Sequence, residues 1–198
     1  QVVYDRVWDI SEHFVGFIQN TGFKAQLVAP NKTTAILYRK YLNEIGKVSS
    51  EVVISAPDTR ENYDDAFEEN ENLVQSFYKS MMDKYGTQEK YEKSIINAFK
   101  YQENPEIIIV VDKLLTGFDA PKNRVLYLTR SLKEHTLLQA IARVNRLAEG
   151  KDYGLIVDYY GNLENLDKAI EIYSGSDEMN PDDVKGSVTN VKDIIKDL

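Results

Sequence analysis

The sequence predicts an α/β fold in which a mostly parallel β-sheet is covered by helices on both faces. Five short runs support this prediction, because each is aliphatic or β-branched at nearly every position, as strands buried on both faces usually are. Helical patterns separate several of the runs, and such alternation is typical of a doubly wound sheet. The five predicted strands are 25–29, 52–54, 107–111, 125–128 and 155–157.

Amphipathic helices are predicted before and between these strands. Segments 31–45 and 134–148 each place aliphatic side chains on one stripe at helical spacing. Residues 1–20 also show roughly helical spacing, and the pattern ends at Thr21-Gly22, as helices commonly end near glycine. The apolar side chains that carry this first pattern are Trp8, Phe14, Phe17 and Ile18.

The chain of 198 residues is long enough for one domain with appendages. We assign 1–22 to a leading helix or linker, 23–175 to the main domain, and 176–198 to a polar tail or the start of a following domain. Within the main domain, 57–104 breaks the strand–helix alternation, since it begins acidic and continues as two helical patterns. The sequence therefore predicts a helical insertion at about 57–104. The start at Gln1 without a methionine suggests an excised piece of a longer protein.

Composition excludes several classes of function. The chain has no cysteine and only two histidines, so we predict neither a disulfide framework nor a metal site. It has no apolar run of membrane-spanning length and no secretory signal, so no membrane association is expected. The formal net charge is -8, which argues against a protein that coats DNA generally.

Basic residues are concentrated in one part of this acidic chain. The segment 113–151 contains eight basic and three acidic residues, a net charge of +5, which leaves -13 for the remainder. Such a block suits a local contact with phosphate or nucleic acid. A solvated face with chance clustering explains the charge count equally well.

The first motif with chemical content is Leu114-Leu115-Thr116-Gly117-Phe118-Asp119-Ala120-Pro121, directly after the predicted strand 107–111. Ligands of open α/β sheets collect at the carboxyl ends of strands. The Thr116-Gly117 turn offers a hydroxyl and backbone N–H groups that a phosphate can approach closely. An ordinary strand-to-loop turn would look the same.

The second motif is Gln139-Ala140-Ile141-Ala142-Arg143-Val144-Asn145-Arg146, within the predicted helix 134–148. At 100° per residue the aliphatic stripe lies on one side, and Gln139, Arg143 and Arg146 lie on the other. Arginine suits phosphate because its guanidinium is always charged and can donate two parallel hydrogen bonds. Solvated arginines on an amphipathic surface helix are the alternative.

Taken together, the two motifs resemble the fifth and sixth motifs of superfamily-two helicases. The first matches through Thr116 to Pro121, and the second reads Gln139-x-x-Ala142-Arg143-x-x-Arg146, where many relatives carry glycine at the position of Ala142. The wording of both, with Lys151-Asp152-Tyr153-Gly154-Leu155-Ile156-Val157-Asp158-Tyr159 after them, is similar to the motor (R) subunit of type I restriction enzymes. The resemblance is densest over 107–160 and extends loosely back to Phe23.

The resemblance implies a RecA-like second motor lobe and a role for each matching residue. Arg143 and Arg146 match arginine fingers that reach ATP bound on the first lobe, so they are the candidate catalytic residues. Gln139 faces the same cleft, and Gly117 and Asp119 match positions near the nucleotide. Thr116 matches a residue near the nucleic-acid backbone, and weaker matches or the basic block add four more candidates for that contact. These four are Asn31, Lys32, Lys122 and Arg124.

The resemblance also implies cofactors and partners. The sequence contains neither a Gly-x-x-x-x-Gly-Lys-Ser/Thr phosphate loop nor an Asp-Glu magnesium motif, so ATP and Mg²⁺ would be held mainly by a first lobe upstream. The implied parent is an ATP-dependent DNA translocase and restriction endonuclease of the bacterial or archaeal cytoplasm, and the isolated fragment is expected to be inactive. Its implied partners are double-stranded DNA, the first lobe, and methyltransferase and specificity subunits.

Two alternatives stay open at this stage. The chain could be the equivalent lobe of another superfamily-two helicase or repair translocase, which differs in what lies upstream. It could instead be a flavodoxin-like or receiver-like binding module with no motor role. Such a module would need a ligand or phospho-acceptor site near the first strand, and Ala29-Pro30-Asn31 offers no acidic pocket there.

Overall fold

The structure is a computed structural model that describes residues 2–57, 65–115, 118–146 and 148–162, with the backbone alone at 65–71 and 134. Several predicted features lie outside the described residues. These are Thr116 and Gly117, the acidic part of the predicted insertion at 58–64, and the whole of the predicted segment 176–198.

Five strands form one entirely parallel sheet in the order β2-β3-β1-β4-β5. In the centre, Leu27 of β1 is paired on one side with Ile109 of β3 and on the other with Tyr127 of β4, and all three side chains are buried. The predicted α/β class and all five predicted strands are confirmed. The strands are β1 (Lys24–Val28), β2 (Ser50–Val53), β3 (Ile107–Val110), β4 (Asn123–Leu128) and β5 (Leu155–Asp158).

Helices follow or connect the strands as the sequence predicts. The first two, α1 and α2, pack against each other, and α2 also packs on β2 and β3. The last, α5, packs on β4. None of these helices, within the described ranges, combines the length and apolar character needed to cross a bilayer. They are α1 (Val2–Phe17), α2 (Lys32–Ile45), α3 (Asp65–Tyr85), α4 (Gln88–Tyr101) and α5 (Glu134–Val144).

The buried face of α1 differs from the predicted one. Val7, Ile10 and Phe14, spaced at i, i+3 and i+7, are fully buried in the same core as the sheet. Trp8 and Phe17, which the sequence pattern assigned to the core, are 45% and 70% exposed. The indole of Trp8 lies instead beneath the ammonium of Lys47, 4.9 Å from the ring centroid. A cation over an aromatic face stabilises an exposed ring that apolar packing does not cover.

The two helices of the predicted insertion form the connection from β2 to its neighbour β3. The two predicted helical patterns correspond to apolar stripes. Phe77 and Met81 of α3 are buried and Leu73 is half-buried, and Tyr91, Ile95 and Phe99 of α4 are buried. The Tyr91 hydroxyl donates to the Val52 carbonyl oxygen at 2.5 Å, which ties α4 to β2. Burial raises the pKa of the Tyr91 hydroxyl above its ordinary value.

The connection from β3 to β4 is different, because its described residues contain no helix although β1 lies between the two strands. Its apolar side chains Leu115, Phe118 and Ala120 are buried, and the rings of Phe118 and Phe99 lie 6.0 Å apart. The Gln26 side chain donates to the Leu114 carbonyl oxygen at 3.2 Å. The described residues of the first sequence motif are thus held against the body of the domain.

Candidate arginine site between helix α5 and the 118–122 loop

The candidate site lies at the carboxyl end of α5. This helix joins two parallel strands, so it begins at the carboxyl edge of the sheet and ends at the amino edge, where β4 and β5 begin. Its apolar side chains are buried against the domain, which leaves Arg143 and Arg146 near the last turn to reach outward. The buried side chains are Leu137, Leu138, Ala140, Ile141 and Val144.

Both arginines contact the loop that leads into β4. The Arg143 guanidinium donates from Nη1 to the Phe118 carbonyl oxygen at 2.8 Å. Arg146 forms an ion pair with the Asp119 carboxylate, with Nη1 and Oδ1 2.5 Å apart. The structure therefore brings together three of the predicted nucleotide-site residues, which are 24 and 27 positions apart in sequence.

The two arginines differ in their surroundings. Arg143 is half-buried, and its Nε atom is fully buried without a hydrogen-bond partner. Burial lowers the pKa of Arg143, the positive charge of Arg146 lowers it further, and Asp119 opposes this. Arg146 keeps 47% of its side chain exposed and Asp119 keeps 56%. One guanidinium is thus anchored, and the other is accessible to a ligand.

Of the remaining predicted nucleotide-site residues, the structure describes Gln139, which stands apart from these contacts. Gln139 is half-buried one turn earlier on α5, and its Nε2 atom lies 2.8 Å from Nε2 of His135. Gly117, like Thr116, is outside the described residues. No three His, Asp or Glu side chains in the described part of the chain are grouped so that they could hold a metal ion.

The predicted nucleic-acid residues are divided between opposite edges of the sheet. Asn31 and Lys32 follow β1 at the carboxyl edge, whereas Lys122 and Arg124 lie where β4 begins, at the amino edge. A five-residue strand separates these edges by about 15 Å, at a rise of about 3.3 Å per residue. The structure therefore does not gather the four candidates on one small patch.

The two candidates at the carboxyl edge make contacts within the domain. The Asn31 Oδ1 atom accepts a hydrogen bond from the Thr34 amide at 2.8 Å and so caps α2. The Lys32 ammonium donates to the Ala56 carbonyl oxygen at 2.7 Å. Both contacts explain these residue types without a nucleic acid.

The two candidates at the amino edge differ from each other. Lys122 is exposed, and no ion pair is found for it among the described residues. The guanidinium carbon of Arg124 lies 5.1 Å from the ring centroid of Phe23 and 4.7 Å from that of Tyr153. Stacking between two aromatic rings fixes this charge in place.

Lys113 is occupied by a partner that the sequence did not suggest. Lys113 begins the predicted basic block, and its ammonium forms an ion pair with Glu92 of α4. Asp112 pairs with Arg130, which follows β4. Charge at this edge of the sheet is therefore largely matched, because neighbouring strand ends bring opposite charges together.

Sequence reasoning missed three residues that shape the site. The Gly154 amide donates to Oδ1 of Asn145 at 3.0 Å, just beyond the end of α5. A Cβ atom on Gly154 would lie 2.4 Å from the Val144 carbonyl oxygen, so only glycine fits. Lys151 is 4% exposed and donates to two carbonyl oxygens of the chain segment entering β4. The available signal was the Lys151-Asp152-Tyr153-Gly154 string, which is separated from the second motif by four residues.

Solved structures define the class of the fold. The chain is similar to a fragment of the HsdR subunit of a type I restriction enzyme from Vibrio vulnificus YJ016, with a TM-score of 0.55 and 20% identity, covering 89% of this chain and 31% of that one. It is also similar to Mss116p DEAD-box helicase domain 2, solved with an RNA duplex, with a TM-score of 0.51 and 14% identity, covering 98% and 68%. The fold is that of the second RecA-like domain of helicases.

Sequence comparison defines the family within that class. The model of type I restriction enzyme subunit R domain 3 matches residues 14–161. The chain belongs to this family, so the flavodoxin-like fold and the assignment to another superfamily-two helicase or repair translocase are both wrong. The RecA-like fold class and the predicted resemblance are confirmed.

Individual relatives agree with the family assignment. The chain is 40% identical over 175 residues to the MjaVIIIP type I restriction enzyme endonuclease subunit of Methanocaldococcus jannaschii, covering 83% of this chain and 16% of that protein. It is 30% identical over 212 residues to the MjaVIIP subunit of the same organism, covering 99% and 18%. For the HindI subunit of Haemophilus influenzae the identity is 44% over 96 residues, covering 46% and 9%. The chain thus spans less than a fifth of these relatives.

Proposed function

We propose that this chain is the second motor lobe of an ATP-dependent DNA translocase within a type I restriction endonuclease. The observation that carries the proposal is that Arg143 and Arg146, near the end of α5, both contact the 118–122 loop. The family assignment supports the parent enzyme, since the relatives are named as endonuclease subunits. The motor role rests on the site.

The residues at this site fit one side of a nucleotide pocket. Arg143 offers a buried Nε–H donor that has no partner, and Arg146 offers an accessible guanidinium. When bound between this lobe and a first lobe, ATP with Mg²⁺ would supply the phosphoanhydride bond whose hydrolysis drives movement. Gln139, Gly117 and Asp119 are the further residues that we assign to the same cleft.

Asp119 would orient Arg146 without trapping it. Exposed ion pairs contribute only about 0–1 kcal/mol, and both partners here are roughly half exposed. A phosphate oxygen can therefore replace the carboxylate at little cost. Arg143 is anchored on the Phe118 carbonyl group instead, so its position changes less when a ligand arrives. This difference suits two arginines that stabilise the charge of phosphoryl transfer from fixed and adjustable positions.

We further propose that DNA backbone contacts involve the amino edge, through Lys122 and Arg124. Burial is the main cause that lowers the pKa of Lys24 and of Lys151, and the positive charges of Lys122 and Arg124 respectively lower them further, so both cations act at this edge. Charges at the carboxyl edge are mostly paired or bonded within the domain. Thr116, Asn31 and Lys32 remain candidates for contacts with the same duplex.

The proposal extends to the parent assembly. Its partners would be double-stranded DNA, the first RecA-like lobe of the same chain, and methyltransferase and specificity subunits, in the cytoplasm of a bacterium or archaeon. The 198-residue chain by itself would release no phosphate from ATP, because a phosphate loop is absent from its sequence.

The test uses Arg143→Ala and Arg146→Ala in the full-length protein. Each should lower DNA-stimulated ATP turnover by at least about 10²-fold, a conservative use of the contribution of arginine fingers. ATP affinity should fall much less, because the first lobe holds most of the nucleotide. The matched control is Arg39→Ala on α2, which removes an arginine that pairs with Glu51 and should leave turnover nearly unchanged. Normal turnover in both α5 variants contradicts the proposal.

A further inference from the structure

Lys151 is a buried cation held by backbone oxygens rather than by a carboxylate. Its side chain is 4% exposed, and Nζ donates to the carbonyl oxygens of Asn123 at 2.8 Å and Pro121 at 3.1 Å. No ion pair is found for it among the described residues. Burial, together with the charge of Arg124, lowers the pKa of Lys151 to about 8. A buried amine without an opposite charge destabilises a fold unless its hydrogen bonds compensate.

The carbonyl groups that Lys151 binds belong to the loop that holds the two arginines. This loop contacts the arginines through Phe118 and Asp119 and then continues into β4, which begins at Asn123. The Asn123 amide also donates to the Ala120 carbonyl oxygen at 2.8 Å, which closes a tight turn. Lys151 therefore fixes the exit of the loop, whereas Arg143 and Arg146 contact its middle.

The segment that contains Lys151 also contacts the end of α5, from which the two arginines extend. Lys151 pairs with Ala148 in an isolated bridge just after α5. Three residues later, the Gly154 amide binds Asn145, adjacent to Arg146. The end of α5 is thus joined to the 118–122 loop twice, directly through the arginines and indirectly through the segment from Ala148 to Gly154.

We propose that Lys151 is a positioning residue that fixes the 118–122 loop, and through it the placement of Arg143 and Arg146, without contacting the nucleotide. This inference rests on the proposed function of the two arginines. Misplacing a reacting geometry by about 1 Å can cost up to 10²-fold in rate, so loosening the loop acts on turnover more than on ATP affinity.

The chain contains a matched control for this lysine. Lys24 is 3% exposed, and its Nζ donates to the carbonyl oxygens of Gln102 at 2.7 Å and Pro105 at 2.8 Å. Burial is again the main cause that lowers its pKa to about 8. Lys24 therefore resembles Lys151 in its burial and its two carbonyl acceptors, although Glu106 and Glu103 oppose the lowering of its pKa. It holds the segment between α4 and β3 instead of the loop beside the arginines.

The experiment compares Lys151→Met with Lys24→Met in the full-length protein, since methionine keeps the side-chain length and removes the donors. Lys151→Met should lower kcat for ATP about tenfold with KM changed less than about twofold. Lys24→Met should leave kcat within about twofold, although it destabilises the domain comparably. In a background that carries both Arg143→Ala and Arg146→Ala, Lys151→Met should lower kcat little further, since the two side chains that it positions are gone. Additive losses, or equal losses of kcat in the two methionine variants, overturn the proposal.

Hydrogen exchange gives a readout that does not depend on turnover. Lys151→Met should speed amide exchange in 118–123 and 143–146 and leave β3 unchanged. Faster exchange throughout the sheet would assign the lysine to general stability and overturn the inference. If Arg143→Ala and Arg146→Ala retain full turnover, the proposed function itself fails; if they lose it while Lys151→Met does not, only the positioning role fails.

Discussion

Helices α2 and α5 each follow a parallel strand, yet they are defined in different ways. Both ends of α2 are fixed by adjacent residues: Asn31 caps the first turn, and Gly46, at φ 73°, ends the helix with its amide bonded to the Leu42 carbonyl oxygen. The start of α5 at Lys133 has no side-chain cap, and it ends at Asn145 in a helical conformation. Local residues therefore account for α2 but not for α5.

What holds the end of α5 comes from elsewhere in the chain. Arg143 contacts the Phe118 carbonyl group, Arg146 contacts Asp119, and Asn145 accepts from Gly154. A helix end held by distant loops changes when those loops change, whereas a helix with its own caps does not. The difference teaches that α2 serves as scaffold and that α5 is coupled to whatever binds beside it.

The largest effect on stability is expected from Gly154→Ala, which removes the support of α5. The new methyl group would lie 2.4 Å from the Val144 carbonyl oxygen and 2.8 Å from Oδ1 of Asn145. Forcing extra volume into a packed site costs about 1–3 kcal/mol. Urea unfolding of the 198-residue chain measures this loss.

Gly16→Ala is the control for that substitution. Gly16 lies in α1, where a Cβ atom would meet nothing within 4 Å. Alanine there should stabilise the chain by about 0.5–1 kcal/mol, because glycine loses more conformational freedom in a helix. If Gly154→Ala behaves like Gly16→Ala, the end of α5 does not depend on this contact.

A smaller effect is expected from exchanging the capping states of the two helices. Asn31→Ala should destabilise the chain by about 1 kcal/mol, since the Thr34 amide loses its acceptor. Lys133→Ser places a capping hydroxyl at an extended residue before α5 and should stabilise the chain by up to about 1 kcal/mol. Circular dichroism during thermal unfolding measures both, and opposite signs are expected. Shifts of the same sign would contradict the absence of a cap at the first turn of α5.

The smallest effect concerns the salt dependence of DNA affinity. The start of α2 and the end of α5 lie at opposite edges of the sheet, so charges at the two edges can be compared. Lys122→Ala and Arg124→Ala should each flatten the log–log salt dependence of DNA affinity by about one unit. Lys32→Ala should flatten it less, because its ammonium is bonded to the Ala56 carbonyl group. Titration of the full-length protein against salt checks this. A larger change for Lys32 than for Lys122 would move the DNA contact to the carboxyl edge.

The sheet could be predicted because burial on both faces leaves a direct mark on the sequence. A run such as Ile107 to Val110 has no polar position, and all four residues are buried. The orientation of α1 could not be predicted in the same way. Trp8 and Phe17 lie about 180° apart on the helix at 100° per residue, so one face cannot bury both, and tertiary packing buries Val7, Ile10 and Phe14 instead.

The candidate site was predictable in its residues but not in its contacts. Periodicity predicted that Arg143 and Arg146 lie on the same side of the helix, and the family resemblance implies that they act as arginine fingers. Their partners Phe118 and Asp119 follow from a loop path that no local pattern encodes. The charge count over 113–151 likewise could not show that Lys113 pairs with Glu92, since Glu92 lies outside that segment.

The central position of β1 has a consequence for how the chain acquires its structure. β1 ends at Val28, but its two sheet neighbours are Ile107–Val110 and Asn123–Leu128. During synthesis from the amino terminus, the apolar residues of β1 therefore have no strand partner until about eighty further residues have been added. Contacts of such sequence separation form slowly, and exposed strand edges favour aggregation meanwhile. Truncations that end before Leu128 should accordingly be recovered as aggregates rather than as folded halves.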